Sequence, residues 1–324
     1  MIAADTLGSI GESATLARIF PRLPPAAAQI LGPGDDAAIV AAPDGRFVVT
    51  TDMMIHGPDF RLAWSTPHDL GWKAAASNLA DVAAMGAVPT ALVVAIAATS
   101  DSPVSLLEGI SDGLRNGCAA LAPGCGVVGG DLSVSRTLTI AVTAFGDLEG
   151  RAPVLRSGAQ VGDTIAVAGP LGAAAAGLRL LFSEGSLDGQ PDAASAARLR
   201  RARPDEVTAQ LAPSPPIAAG RLAAIAGATA MLDLSDGLAI DARRIASASG
   251  VAIDLDSAAV GSREALDGGE DHSLLAAFPP GAVLPEGFRV IGAVVGGVGV
   301  LVDGQLYEAL GGWDPYSGWN GGVG

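Results

Sequence analysis

The 324 residues of this chain exceed what one hydrophobic core usually organises, so two domains packed as one unit are expected. With 49% hydrophobic and only 16% charged residues, and with glycine and proline spread along its length, the chain is globular rather than disordered. A formal net charge of -15 argues against a nucleic-acid or anionic-membrane partner, because binding a phosphate backbone takes a basic face that this chain can hardly assemble.

In chain order, residues 47–52 are rich in β-formers and predict a strand, 68–85 a helix, 91–98 a strand and 105–121 a helix. Residues 138–145, with β-branched side chains at alternate positions, predict another strand that ends at the turn Gly146-Asp147-Leu148-Glu149-Gly150. A domain boundary is expected there, dividing the chain into 1–150 and 151–324. The second half restarts with a strand at 164–168, which runs through Gly169-Pro170-Leu171-Gly172 into a helix at 173–181. Residues 183–216 are polar, arginine-bearing and proline-rich, and predict a surface helix with a long connection. A strand at 230–234 turns at Ser235-Asp236-Gly237 into a helix ending near Gly250, and strands at 290–295 and 298–302 lead to the hairpin signal Asp303-Gly304.

Lys73 is the only lysine, and Gly71-Trp72-Lys73-Ala74 has neither a glycine loop before it nor a Ser or Thr after it, which excludes a P-loop. Phosphate must then be handled through metal ions. Cys118 and Cys125 fit neither a redox pair nor a zinc framework and read as reduced thiols, so no structural zinc is expected. The N-terminus lacks a basic start with an apolar run, and the most apolar stretch, 82–98, is interrupted by Gly86 and Pro89. It also falls short of the ~20 residues that a spanning helix needs. A soluble, cytoplasmic protein is expected.

Aspartates gather at predicted strand ends and glycine turns, where a backbone presents a side chain to a ligand. They are Asp35 and Asp36 after Gly34, Asp52 in Thr50-Thr51-Asp52, Asp131 in Gly129-Gly130-Asp131, and Asp233 with Asp236 in Asp233-Leu234-Ser235-Asp236-Gly237. Asp81 shares a polar helical face with Ser77 and Asn78 in an otherwise apolar stretch. Magnesium takes carboxylate oxygens and shares its other positions with water and substrate phosphates, so this set can hold several ions. Each aspartate alone also has an ordinary reading as turn chemistry, a helix cap or a solvated face. The helix start within 169–177 can approach an anion, but it lacks the G-x-G-x-x-G pattern, and close strand-helix packing explains it better. His56, His68 and His272 are too scattered to suggest a metal site. A mechanism that needs neither a histidine site nor an activated serine fits best; in phosphoryl transfer to an existing phosphate, for instance, the attacking oxygen, with a second pKa of ~6, is already largely ionised at neutral pH. Positioning and charge neutralisation can then carry the reaction without a dedicated catalytic side chain.

The motifs Gly34-Asp35-Asp36-Ala37-Ala38, Thr50-Thr51-Asp52, Asn78-Leu79-Ala80-Asp81-Val82-Ala83-Ala84-Met85-Gly86-Ala87 and Gly129-Gly130-Asp131 occur in the order seen in the thiamine-monophosphate kinase family. Arg156-Ser157-Gly158-Ala159, Gly162-Asp163, the Asp233 to Gly237 motif and Gly268-Gly269-Glu270-Asp271-His272 extend the resemblance over nearly the whole chain. The resemblance implies an α+β, two-domain fold of the aminoimidazole-ribonucleotide-synthetase-like kind, with an N-terminal sheet at a homodimer interface and a C-terminal α/β domain completing the substrate site. It implies ATP-dependent phosphorylation of thiamine phosphate with several magnesium ions. By motif, Asp35, Thr50, Thr51, Asp52, Asp81, Asp131, Asp233 and Asp236 would hold magnesium, and Gly130, Arg156 and Ser235 would contact ATP. Glu270 would bind the thiamine part, and Tyr316 in Trp313-Asp314-Pro315-Tyr316 would stack on it.

Two departures fall in the substrate region. Asp59-Phe60 stands where the family usually has His-Phe, and an aspartate there repels a phosphate unless a metal intervenes. The stretch between Val260 and Gly268 is also shorter than usual. Three other readings stay open: a same-superfamily ATP-dependent enzyme on another small acceptor, a catalytically silent nucleotide-binding dimer, and a metal-dependent phosphohydrolase.

Overall fold

Residues 5–31 and 38–309 are described by the computed structural model of the chain. The first half contains α1 (Leu7–Ile19), β1 (Gln29–Leu31), β2 (Ile39–Val40), β3 (Val48–Ile55), α2 (Pro67–Ala84), β4 (Val88–Ala98), α3 (Val104–Leu121), β5 (Gly126–Val134) and β6 (Thr139–Asp147). Four of these strands form a sheet in the order β3-β6-β4-β5, antiparallel except for the β4/β5 pair. Helix α2 is defined at its start by Thr66, whose hydroxyl accepts from Asp69 N while Asp69 accepts from Thr66 N, with Pro67 in the first turn. Its small side chains let it lie buried against the sheet and α3. Gly71 and Gly113 make the helix contact close, because a Cβ on either would sit about 2 Å from a backbone carbonyl of the other helix, Ile110 O or His68 O.

The second half contains β7 (Thr164–Ala168), α4 (Ala173–Glu184), β8 (Ser186–Leu187), β9 (Gln190–Pro191), α5 (Ala193–Ala202), α6 (Pro204–Leu211), α7 (Ile217–Ile225), β10 (Ala230–Leu234) and α8 (Leu238–Ser249). It continues with β11 (Ala252–Leu255), α9 (Ser257–Val260), α10 (Arg263–Asp267), β12 (Ser273–Phe278), β13 (Phe288–Val295), β14 (Gly299–Val302) and β15 (Gln305–Leu306). Seven strands make one sheet in the order β10-β12-β7-β13-β11-β14-β15. One apolar cluster joins α2 and the first sheet to Ala166, Met231, Leu274 and Phe278 of the second sheet, so α2 is packed between the two halves. A second cluster packs α8 on the other side of the large sheet.

The predicted strand at 230–234 and the strand at 164–168 are observed with those bounds, and the predicted long helices are displaced by only a residue or so at their ends. Three differences bear on the site. Asp131 lies inside β5, not in a glycine turn, and Asp52 lies in the middle of β3. Gly130 is there for a close approach, since a Cβ on it would stand 2.0 Å from Val94 O. Residues 183–216 hold two helices, α5 and α6, and a small hairpin rather than one surface helix. Strand β12 was not predicted, because all six of its residues are buried and it shows no alternation for a periodicity to find.

Candidate active site

Two halves of the chain meet at a group of carboxylates. Strand β3 supplies Thr50 and Asp52, and α2, packed on the same face of the sheet, supplies Asn78 and Asp81. Thr50 Oγ1 donates to Asp81 Oδ2 at 2.8 Å, and Asp52 N donates to Asn78 Oδ1 at 3.1 Å. From the other side come Asp233, buried near the end of β10, and Asp236 in the turn that follows. Burial, then Asp233 and Asp52, push Asp81 up to about 7. Partial desolvation pushes Asp52 upward too, with Asp233, Glu270 and Asp236 adding to it against His272. Carboxylates that raise each other in this way share an unbalanced negative field.

The Asp233 to Gly237 turn is braced from two sides. Asp233 Oδ2 lies 3.3 Å from His272 Nδ1, and Leu234 O and Ser235 O accept from His272 N at 2.9 Å and Glu270 N at 2.7 Å. Burial works against a charge on His272, but the bond and charge of Asp233 together with the charge of Glu270 outweigh it, and its pKa is raised. Asp241, fully buried, accepts from Asp236 N and Gly237 N, both at 3.1 Å, and pairs with Arg244, which also pairs with Asp236. Glu270 and His272 hold positive φ values of 72° and 51°, uncommon for residues with a Cβ and characteristic of segments whose surroundings impose them. Between them, Asp271 accepts from Gly172 N and Ala174 N, so the start of α4 is filled by a carboxylate of the chain itself.

Next to the carboxylates lies a cavity of about 120 Å³. Asp59, Arg61, Trp64, Lys73, Gln210 and Glu270 are among its lining residues. Asp59 Oδ2 accepts from Ile55 N at 2.7 Å, and burial raises its pKa. Glu270 pairs with Lys73; burial opposes its charge, but Lys73 and then His272 hold its pKa below the usual range. A larger cavity, about 780 Å³, borders Gly129, Gly130, Asp131 and Asp147 and is otherwise mainly apolar.

Of the residues singled out from sequence, Thr50, Asp52, Asp81, Asp233 and Asp236 are brought together, with Ser235 beside them, and Asp59 and Glu270 share the small cavity. Thr51 and Asp131 face elsewhere. Cross-strand partners share a face, and the row through Asp52 runs Val142, Val94 and Gly130, whereas Asp131 lies in the row of Ala95, Ala141 and Met53. Asp52 therefore points toward α2 and Asp131 toward the opposite face, as does Thr51, whose hydroxyl accepts from Thr143 Oγ1. Gly130 lies on β5 at the rim of the larger cavity. Arg156 is exposed, its carbonyl accepting from Ser249 Oγ at 2.9 Å. Asp35 and Tyr316 lie outside the described residues. Sequence reasoning missed Asp241, Arg244, Lys73 and His272 as parts of the site. Asp241 had a readable signal, a carboxylate four residues past the Gly237 turn. The stretch Gly109-Ile110-Ser111-Asp112-Gly113 matches a nucleophile-elbow pattern, but it lies within α3, where buried Ser111 bonds Leu107 O at 2.8 Å.

The two halves correspond to a known class. Residues 34–148 match the family model described as AIR synthase related protein, N-terminal domain, and residues 160–285 match its C-terminal domain. Thiamine-monophosphate kinase of Mycobacterium tuberculosis is 44% identical, covering 97% of this chain and 94% of its own. That of Corynebacterium glutamicum is 41% identical over 81% of this chain and 80% of its own. A crystal structure of the Aquifex aeolicus enzyme superposes with a TM-score of 0.70 at 33% identity, covering 83% of this chain and 91% of the other. A further structure, described as AaThiL complexed with AMPPCP and TMP, superposes with a TM-score of 0.71 at 33% identity, over 86% of this chain and 90% of the other. This chain belongs to the thiamine-monophosphate kinase family.

Proposed function

We propose that the chain transfers the terminal phosphate of ATP to thiamine phosphate, forming thiamine diphosphate. The observation that carries this reading is the meeting of Asp52 and Asp81 from one half with Asp233 and Asp236 from the other, beside the cavity lined by Asp59 and Glu270. The names of the relatives and the complex with AMPPCP and TMP support it. The donor set suits magnesium, since it consists of hard carboxylate and hydroxyl oxygens whose mutual repulsion a divalent cation would relieve. Among the described residues no three His, Cys, Asp or Glu are arranged to hold a metal ion by themselves, so water and phosphate oxygens would complete the coordination. Bound magnesium would neutralise charge on the transferring phosphoryl group.

The chain's own residues bind and orient. Asp52, Asp81, Asp233, Asp236 and Thr50 form one proposed ligand group, with Asp35 as a further ligand; Thr51 and Asp131, which point to the opposite face of the sheet, would serve a separate ion there and not this group. Gly130, Arg156 and Ser235 contact ATP, while Asp59, Glu270 and Tyr316 define the thiamine side. The attacking phosphate oxygen needs no general base, because it is largely ionised near neutral pH. The working unit is a cytoplasmic homodimer of chains divided at about residue 150. Its interface is the outer face of the first sheet, where Phe47, Val49 and Met53 are all more than half exposed. No helix among the described residues is long and apolar enough to cross a membrane.

The test is incubation with ATP, magnesium and thiamine phosphate, with no-acceptor and no-magnesium controls and chromatographic separation. Magnesium-dependent thiamine diphosphate is the expected product. Phosphate release that ignores the acceptor would replace this reading with a phosphohydrolase, and ATP binding without any turnover would replace it with a silent nucleotide-binding protein.

A further inference from the structure

Lys73 is the only lysine of the chain, and it is buried within α2. A buried ammonium requires a partner, and it has two. Its Nζ pairs with Glu270 Oε2. With the Gln210 amide turned so that its nitrogen donates to Ala174 O at 2.9 Å, the Gln210 oxygen accepts from Lys73 Nζ at 3.3 Å. These side chains come from α2, α6 and the segment after α10, and all three line the small cavity. The two members of the ion pair are placed differently: 30% of the Glu270 side chain is exposed against 7% for Lys73. The lysine charge is satisfied inside the protein, whereas the carboxylate reaches the cavity.

The backbone beneath Glu270 is already held, by its positive φ and by the bond from its N to Ser235 O at 2.7 Å. Gly269 before it lies so close to the turn that a Cβ would meet Ser235 O at 2.6 Å. What remains free is the direction of the Glu270 side chain, and the ion pair sets it.

We infer that Lys73 is a positioning residue for the acceptor: by holding Glu270 Oε2 it aims the other carboxylate oxygen, Oε1, at the thiamine part of the substrate. This rests on the kinase reading above. Because Lys73 works through Glu270, its loss weakens acceptor binding and leaves ATP binding alone.

The experiment compares wild type, Lys73→Met, Glu270→Gln and the double variant, measuring KM for thiamine phosphate and for ATP together with melting temperature. Lys73→Met is expected to raise KM for thiamine phosphate about tenfold with KM for ATP within about twofold, and the double variant to be no worse than Glu270→Gln alone. If the two single effects multiply in the double variant, or if KM for ATP rises as much as that for the acceptor, the inference is wrong. Should Lys73→Met fail to fold, because it strands a carboxylate without its partner, the double variant removes both charges, and its comparison with Glu270→Gln decides. A wild-type enzyme that does not phosphorylate thiamine phosphate overturns the kinase reading itself, and with it this inference, in an arm separate from the variants.

Discussion

Asp81→Asn isolates the negative field of the site. The folded pKa of Asp81, about 7, lies above the ordinary value of 3.8, so the native state holds that proton more tightly than the unfolded chain does. The stability this represents is present in acid and is lost as pH rises through about 7. A shift of about three units corresponds to at most on the order of 4 kcal/mol. Part of it is shared with Asp52 and Asp233, and an amide still has to be desolvated, so the expected gain in the metal-free variant at pH 8 is about 1–2 kcal/mol. For a chain this long that is a rise of about 2–4 °C in melting temperature. Melting curves of metal-free wild type and variant at pH 5.5 and pH 8, repeated with magnesium, supply the assay. The variant should melt higher at pH 8, the gap should shrink at pH 5.5, and magnesium should stabilise wild type more than the variant. A variant destabilised equally at both pH values, with an unchanged magnesium response, would refute the shared carboxylate field.

Asp241→Ala removes the acceptor of two backbone N–H groups and the partner of Arg244, at a cost on the order of 3 kcal/mol. Its melting temperature should drop by about 6 °C and its magnesium affinity should weaken as the Asp236 turn loosens; a drop below about 1 °C would show that the turn holds itself. Met53→Asp places a charge on the exposed outer face of the first sheet, and light scattering should show dimers giving way to monomers. Persistence of the dimer would put the interface elsewhere. Asp59→His removes a carboxylate that repels the substrate's phosphate, so KM for thiamine phosphate should fall about threefold with that for ATP unchanged. A rise, or a change confined to ATP, contradicts the placement of Asp59 beside the acceptor.

Local rules were legible in the sequence where elements are amphipathic or capped. Thr66-Pro67 announces α2, and alternation reveals β6. Strand β12, with both faces covered, offers no period, and β5 hides behind glycines, of which Gly130 serves a close approach to β4 and Gly126 one to Pro24 and Pro25. The motif aspartates were visible one by one, each with a turn or cap as an equally good explanation. Their meeting was not, because Asp52 and Asp81 are separated from Asp233 and Asp236 by 152 to 184 residues and come together through the burial of α2 between two sheets. The pairing of Lys73 with Glu270 is of the same kind, since no local pattern links a helix in one half to a strained segment in the other.

The amino-acid sequence by itself carried the family's motifs and an acidic, oxygen-rich set of side chains without a P-loop, the combination behind the proposed metal-assisted handling of phosphate. Only the tertiary structure decided which carboxylates share one field, which face of β5 Asp131 occupies, and that the single lysine lies behind Glu270. Those relations depend on sheet register and on the packing of the two halves, both set by contacts between residues far apart in the chain.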